Sequence, residues 1–134
     1  DQPQEEQQSQ KGSGLILVVD DEPMICELAR ATLTELGYEV ITAADGLEAV
    51  EIFRQRGEEI VCVLLDMTMP NLDGEGTFKI LHAKRADLPV ILSSGYNEIA
   101  ATRRFAGRGI AGFLQKPYTA MELAAKIRAV LVSS

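Results

Sequence analysis

No apolar run in this sequence approaches the roughly 20 residues that a membrane-spanning helix needs, and the N-terminus lacks a basic start followed by an apolar stretch. The expectation is a soluble, unsecreted chain located in the cytoplasm. Cations are also scarce: 13 Lys and Arg stand against 20 Asp and Glu, for a formal net charge of -7. Binding to a nucleic-acid backbone draws most of its affinity from Lys and Arg, so neither nucleic acid nor a membrane is expected as a partner of this domain. Acidic chains can still bind metal ions. Cysteine occurs twice, at Cys26 and Cys62, inside apolar segments and without metal-ligand spacing. Buried thiols in a reducing compartment are the expectation, with a disulfide as the alternative.

What is present describes one compact domain. The 46% hydrophobic and 25% charged content over 134 residues is ordinary for a single unit with its own core. Residues Asp1 to Gly14 hold no large apolar side chain and cannot bury surface, so 1–14 reads as a disordered linker or tail and 15–134 as the folded domain. The abrupt change to LILVV suggests a piece of a longer protein.

From Leu15 onward short apolar runs alternate with amphipathic stretches: LILVV, Ile25 to Leu36, EVITA, Leu47 to Gln55, IVCVLL, Phe78 to Ala83, PVILS, Glu98 to Arg104, IAGFL and Met121 to Val132. This predicts five strands and five helices. In the last helix Ala120, Leu123, Ala124, Ile127, Val130 and Leu131 share one face. Thr119 with Glu122 spells a capping box, Asp45 with Glu48 and Pro23 mark two earlier helix starts, and Asp73 before Gly74 reads as another cap. Strands that are apolar throughout are covered on both faces, and helices between consecutive strands require parallel crossovers. The predicted fold is therefore α/β, a doubly wound parallel sheet with helices on both faces.

In such sheets ligands bind beyond the carboxyl ends of the strands. Those ends carry Asp20 and Asp21 after LILVV, Asp66 after IVCVLL, Ser94 after PVILS, and Lys116 with Pro117 after IAGFL and Gln115. The second strand, ending near Ala43 and Ala44, is the exception, as an outer strand would be. Converging carboxylates repel, so the arrangement calls for a cation or a retained proton. A magnesium ion (Mg²⁺) suits oxygen ligands, and the Lys116 ammonium adds compensation and a contact for a phosphoryl oxygen. An ionised Asp beside a metal and a Lys can attack phosphorus and hold an acyl phosphate. No histidine base is needed, in keeping with a single histidine, His82, in a helical stretch away from the strand ends.

VVDDEP, LLDMTMPNLDG, LPVILSSG and GFLQKPY resemble the motifs of two-component response-regulator receiver domains of the chemotaxis-regulator type, from about Leu15 to Val132. The resemblance implies a flavodoxin-like sheet of strand order 2-1-3-4-5. It implies Asp66 as phosphoacceptor, Asp20 and Asp21 as the acidic pair serving Mg²⁺, and the Thr68 backbone carbonyl as a further ligand. Ser94 matches the switch hydroxyl, Phe113 the aromatic switch position and Lys116 the family's lysine, with a cis bond from Lys116 to Pro117. Phosphorylation would then reshape the surface of the fourth helix, fifth strand and fifth helix. The fourth helix, around Asn97 to Arg104, has the weakest apolar face and would be the easiest to bias. The implied partners are a sensor histidine kinase or phosphotransfer domain, with pairing of two copies left open.

Two departures from the commoner pattern stand out, Ser94 in place of Thr and Phe113 without a phenolic hydroxyl. Thr68, Gly95 and Tyr96 occupy positions that tune dephosphorylation in the family. SSGYNE followed by GFLQKPY resembles receivers attached to hybrid sensor histidine kinases, which would make the polar leader an interdomain linker. By the same resemblance the isolated domain is not an enzyme beyond taking up and slowly losing its own phosphoryl group.

Asp20 and Asp21 could be solvated caps of the first helix, Lys116 an exposed loop lysine, Ser94 a small loop residue and Phe113 plain core. Gly107, Gly109 and Gly112 match G-x-G-x-x-G but precede a strand, so the spacing is coincidental. Arg103, Arg104 and Arg108 read as a solvated face. The alternatives in function are a small phosphatase with Asp66 as nucleophile and a docking-only domain that has lost the chemistry. Against the first, Thr68 stands where such enzymes usually carry a second Asp; against the second, the set Asp20, Asp21, Asp66, Ser94 and Lys116 is intact.

Overall fold

The computed structural model describes residues 13–67, 72–95 and 109–132. Five strands, β1 (Leu15–Val19), β2 (Glu39–Ala43), β3 (Ile60–Asp66), β4 (Val90–Ser94) and β5 (Gly112–Gln115), form one parallel sheet in the order β2-β1-β3-β4-β5. The helices described are α1 (Pro23–Glu35), α2 (Gly46–Arg56), α3 (Gly74–Lys84) and a C-terminal helix (Ala120–Ile127), which continues as a wider π-helical turn over Arg128–Val132. The predicted helix over Glu98 to Arg104 lies outside the described residues, as do Thr68, Tyr96, Gly107, the three arginines 103, 104 and 108, and nearly all of the 1–14 segment.

The central strands are apolar up to the polar residues at their carboxyl ends because both of their faces are buried. On β1, Leu15, Leu17 and Val19 enter one core with Ala49 and Phe53 of α2 and with Phe78 and Leu81 of α3. Ile16 and Val18 point the opposite way and pack with Ala29 and Leu33 of α1 and Leu123 and Ile127 of the C-terminal helix. Among the described residues the sheet is covered by two helices on each face, which follows directly from that alternation. Strand β2 lies at the edge and is only partly buried, as expected of an outer strand. The β1–β3 register steps by one residue between Leu15 and Ile16, which skips Val61 and keeps both Val61 and Cys62 on the α1 side.

Each helix start is written in local chemistry. Pro23 opens α1 at a position where its missing N–H costs nothing. The Asp45 carboxylate accepts from the Glu48 amide at 2.9 Å while Glu48 Oε1 accepts from the Ala44 amide at 2.7 Å. Asp73 caps α3 through the Gly76 amide at 2.9 Å, and Thr119 with Glu122 forms a reciprocal capping box. Two details differ from the sequence reading. Strand β5 begins at Gly112, and Ile110 serves as a core contact before it rather than as a strand residue. Ala120 is exposed, because the buried stripe of the last helix begins only at Leu123. Among the described residues no helix is long and apolar enough to cross a membrane.

Candidate functional site

At the carboxyl edge of the sheet the hydrogen-bond ladder runs one residue past several strands and fixes the backbone of the rim. The Asp20 amide donates to the Ala43 carbonyl at 3.0 Å, the Met67 amide to Ser93 at 2.9 Å, and the Lys116 amide to Ser94 at 2.8 Å. Asp20 thus follows β1, Asp66 ends β3 and Lys116 follows β5, all on one rim. Adjacent acids diverge because the chain bends as it leaves the sheet: Asp20 is buried and Asp21 is exposed. Asp66 is buried at 2% exposure.

Carboxylate oxygens of Asp20, Asp21 and Asp66 lie within 4.8 Å of one another. The Lys116 amine reaches into this group from across the sheet, 2.9 Å from Asp20 Oδ2 and 3.4 Å from Asp66 Oδ1, and also lies 3.1 Å from Glu22 Oε2. Asp20 Oδ1 accepts from the Glu22 amide at 2.9 Å, and its carbonyl accepts from Cys26 Sγ at 3.3 Å. The Lys116–Pro117 peptide bond is cis.

Burial raises the Asp20 carboxyl above its ordinary value, against the opposing pull of the Glu22 amide and Lys116. Burial alone would lower the Lys116 amine; the bonds to Asp20 and Glu22 and the charges of Asp20 and Asp66 outweigh it and hold the amine above its usual range. The rim therefore carries more negative charge than Lys116 neutralises. At an effective dielectric of about 20, the buried Asp20 and Asp66 carboxylates repel by roughly 3 kcal/mol. An all-oxygen donor set of this kind fits a hard divalent cation, whose charge removes that repulsion.

Ser94 is the last residue of β4 and is buried, next to Ser93, which pairs with Asp66 across the ladder. Phe113 is half-buried on β5, packed against the α2–α3 core and lining a groove beside Glu122, Ala125 and Lys126 of the C-terminal helix. His82 stacks on Phe78 within α3, with ring centroids 5.0 Å apart, and is not part of the acid cluster. Both cysteines are free thiols, and burial pushes Cys62 up to about 12.

The structure thus brings Asp20, Asp21, Asp66 and Lys116 together and places Ser94 on the neighbouring strand end. Thr68, the expected carbonyl ligand, lies outside the described residues. Glu22 was missed as a site residue. Its signal is its place in VVDDEP directly after β1, a motif in which the sequence reading gives roles to Asp20, Asp21 and Pro23 but none to Glu22. Tyr118 was missed as well: it is buried two residues beyond Lys116, its hydroxyl finds no partner among the described residues, and burial and the nearby Asp20 hold that hydroxyl above its ordinary value.

A family model described as the response regulator receiver domain matches residues 16–128. The probable transcriptional regulator ycf27 of Porphyra purpurea is 41% identical over 116 residues, covering 87% of this chain and 46% of that protein. The sensor kinase CckA of Brucella abortus (strain 2308) is 35% identical over 120 residues, covering 90% of this chain and 13% of that protein. The chain thus spans about half the length of the ycf27 relatives it matches. Among solved structures, the CheX-CheY-BeF3-Mg+2 complex from Borrelia burgdorferi matches with a TM-score of 0.82 at 27% identity, over 87% of this chain and 88% of that one. The match runs through both core faces and every strand end that carries an acid or the lysine, and the chain belongs to the response regulator receiver domain family of two-component signalling.

Proposed function

We propose that this chain is a phosphoacceptor module that receives a phosphoryl group on Asp66 from a phosphohistidine donor, a sensor histidine kinase or phosphotransfer domain. The observation that carries the reading is the Lys116 amine lying 3.4 Å from Asp66 Oδ1 inside a ring of acids whose oxygens approach within 4.8 Å. Asp66 supplies the nucleophilic oxygen. Its bond to phosphorus forms as the phosphorus–nitrogen bond of the donor breaks, with the electron pair returning to the imidazole. Lys116 donates a hydrogen bond to a phosphoryl oxygen and balances its charge. Asp20, Asp21, Asp66 and the Thr68 carbonyl would hold Mg²⁺, which when bound supplies positive charge against the acids and the phosphoryl oxygens. The solved CheX-CheY-BeF3-Mg+2 complex from Borrelia burgdorferi supports that choice of ion.

Ser94, at the strand end beside Asp66, is the hydroxyl that would turn toward the phosphoryl group, and Phe113 the ring that would follow it. The surface read out by a partner is then the face formed by the fourth helix, β5 and the C-terminal helix. The SSGYNE motif and the similarity to the sensor kinase CckA support placement in a hybrid sensor kinase, with 1–14 as the linker from a preceding domain. As an isolated domain it takes up and loses phosphate without turning over other substrates.

The test is intact-mass measurement after incubation with acetyl phosphate or phosphoramidate and Mg²⁺. The wild type gains one phosphoryl group and Asp66→Asn gains none. No gain on the wild type, or an unchanged gain on Asp66→Asn, refutes the reading.

A further inference from the structure

An ammonium has three N–H donors, and three carboxylates crowd Lys116: Glu22, which accepts a hydrogen bond from it at 3.1 Å, Asp20 at 2.9 Å, and Asp66 as an ion pair at 3.4 Å. A phosphoryl oxygen arriving at this crowded amine competes with the carboxylates already around it. The three are held very differently. Asp20 is buried and anchored a second time by the Glu22 amide. Asp66 is buried and is itself the group that becomes phosphorylated. The Glu22 side chain is 59% exposed, so water takes over its carboxylate at little cost. Its backbone, meanwhile, is fixed. The Glu22 carbonyl accepts from the amides of Ile25 and Cys26 at the entrance of α1, and Pro23 follows directly. The side chain can swing while the residue stays in place.

We propose that Glu22 is a positioning residue that holds the Lys116 amine in reserve, occupying on it the place that a phosphoryl oxygen takes and leaving when the phosphoryl group arrives. The proposal rests on the phosphoacceptor reading above and adds a residue to it. Its consequence is competition. The resting domain keeps a contact that the phosphorylated domain loses, so Glu22 weakens the grip on the phosphoryl group. Exposed ion pairs of this kind correspond to a factor of roughly 1.5 to 5 in an equilibrium constant.

The test uses the full chain as wild type, Glu22→Gln and Glu22→Asp, each titrated with beryllofluoride in Mg²⁺ at one ionic strength and followed by fluorine NMR of the bound species. Both variants are expected to bind beryllofluoride more tightly by that factor, since Asp keeps the charge but falls one methylene short of the amine. Their urea midpoints without Mg²⁺ should stay equal to that of the wild type or fall slightly. Unchanged or weaker binding by Glu22→Gln overturns the proposal, and weakening in step with a lower midpoint marks a merely structural residue. Tighter binding by Gln but not by Asp traces the effect to general charge repulsion and overturns the pair. In Mg²⁺ titration alone the Gln variant should stay within about twofold of the wild type; a tenfold loss makes Glu22 a metal ligand and overturns the proposal too. A wild type that binds no beryllofluoride refutes the phosphoacceptor reading instead, so the two failures are distinguishable.

Discussion

Replacing Gly74 by alanine should injure both the fold and the proposed phosphoacceptor site, and the geometry says by how much. Gly74 is the first residue of α3, is buried, and donates its amide to the Met67 carbonyl at 3.1 Å. A methyl group there would run into the Asp66 carbonyl oxygen and stand 2.5 Å from Met67 Cα, both of them backbone atoms that no rotamer change can move. Restoring ordinary contact needs a backbone shift of about 1 Å at the end of β3. Overpacking of this size costs about 1 to 3 kcal/mol, which lowers the urea midpoint by roughly 0.5 to 1.5 M. A displacement of that order at the reacting carboxylate costs up to about 100-fold in rate. Gly76→Ala on the same helix is the control. Its methyl would meet the flexible end of Leu72 at 2.8 Å, and the better helix propensity of alanine offsets this, so stability should hold within about 1 kcal/mol. Urea unfolding and the initial rate of labelling by acetyl phosphate measure the two effects. A Gly74→Ala protein with wild-type midpoint and wild-type rate, or a Gly76→Ala protein equally impaired, would refute the reasoning.

Three further outcomes follow from groups already described. Burial holds the Asp20 carboxyl above its ordinary 3.8, so the folded chain binds that proton more tightly than the unfolded one. Its contribution to stability is present below the ordinary value and lost as pH rises through the raised one. Asp20→Asn should therefore raise the urea midpoint at pH 7 without Mg²⁺, a gain that disappears in acid and that Mg²⁺ reverses by stabilising only the wild type. Thr119→Ala removes the hydroxyl that accepts from the Glu122 amide in the capping box, while the residue 119 amide can still donate to Glu122, and should cost about 1 kcal/mol in thermal or urea unfolding. With its thiol pushed up to about 12, buried Cys62 should resist iodoacetamide at pH 8 in the folded protein. Cys26, half-buried and raised by burial and by Asp20, should react slowly, as peptide mapping would show.

The fold was legible wherever burial is dictated locally. LILVV and IVCVLL declare strands covered on both faces because their environment leaves no polar position, and the weaker run EVITA fell on the edge strand it suggested. Helix starts were legible for the same reason, since Asp45, Asp73 and Thr119 bond amides only three residues away. The start of β5 was less so. Ile110 is apolar because the core needs it, and apolarity alone does not separate a core contact from a strand residue. The acids and Lys116 could be placed on one rim because parallel topology sends every strand end to the same edge. The Glu22 to Lys116 pair could not, since it joins residues 94 positions apart through side-chain reach rather than through periodicity. Nor does the sequence distinguish Asp20 from its neighbour Asp21, whose different burial arises from the turn of the chain as it leaves the sheet.

Strand β3 is fastened at both ends. At its start the Arg85 guanidinium donates to the carbonyls of Gly57 and Ile60 at 2.9 and 2.7 Å, and at its finish Met67 is tied to Ser93 and Gly74. Such a strand behaves as a fixed rail and not as a piston. A load applied at its tip by a new covalent group is not relieved by sliding along its own axis. Under the proposed phosphorylation of Asp66 it would pass sideways, through the Met67–Ser93 bond, into β4. The arginine that holds the far end of the strand thus bears on the direction in which the rim can yield, well away from the acid cluster.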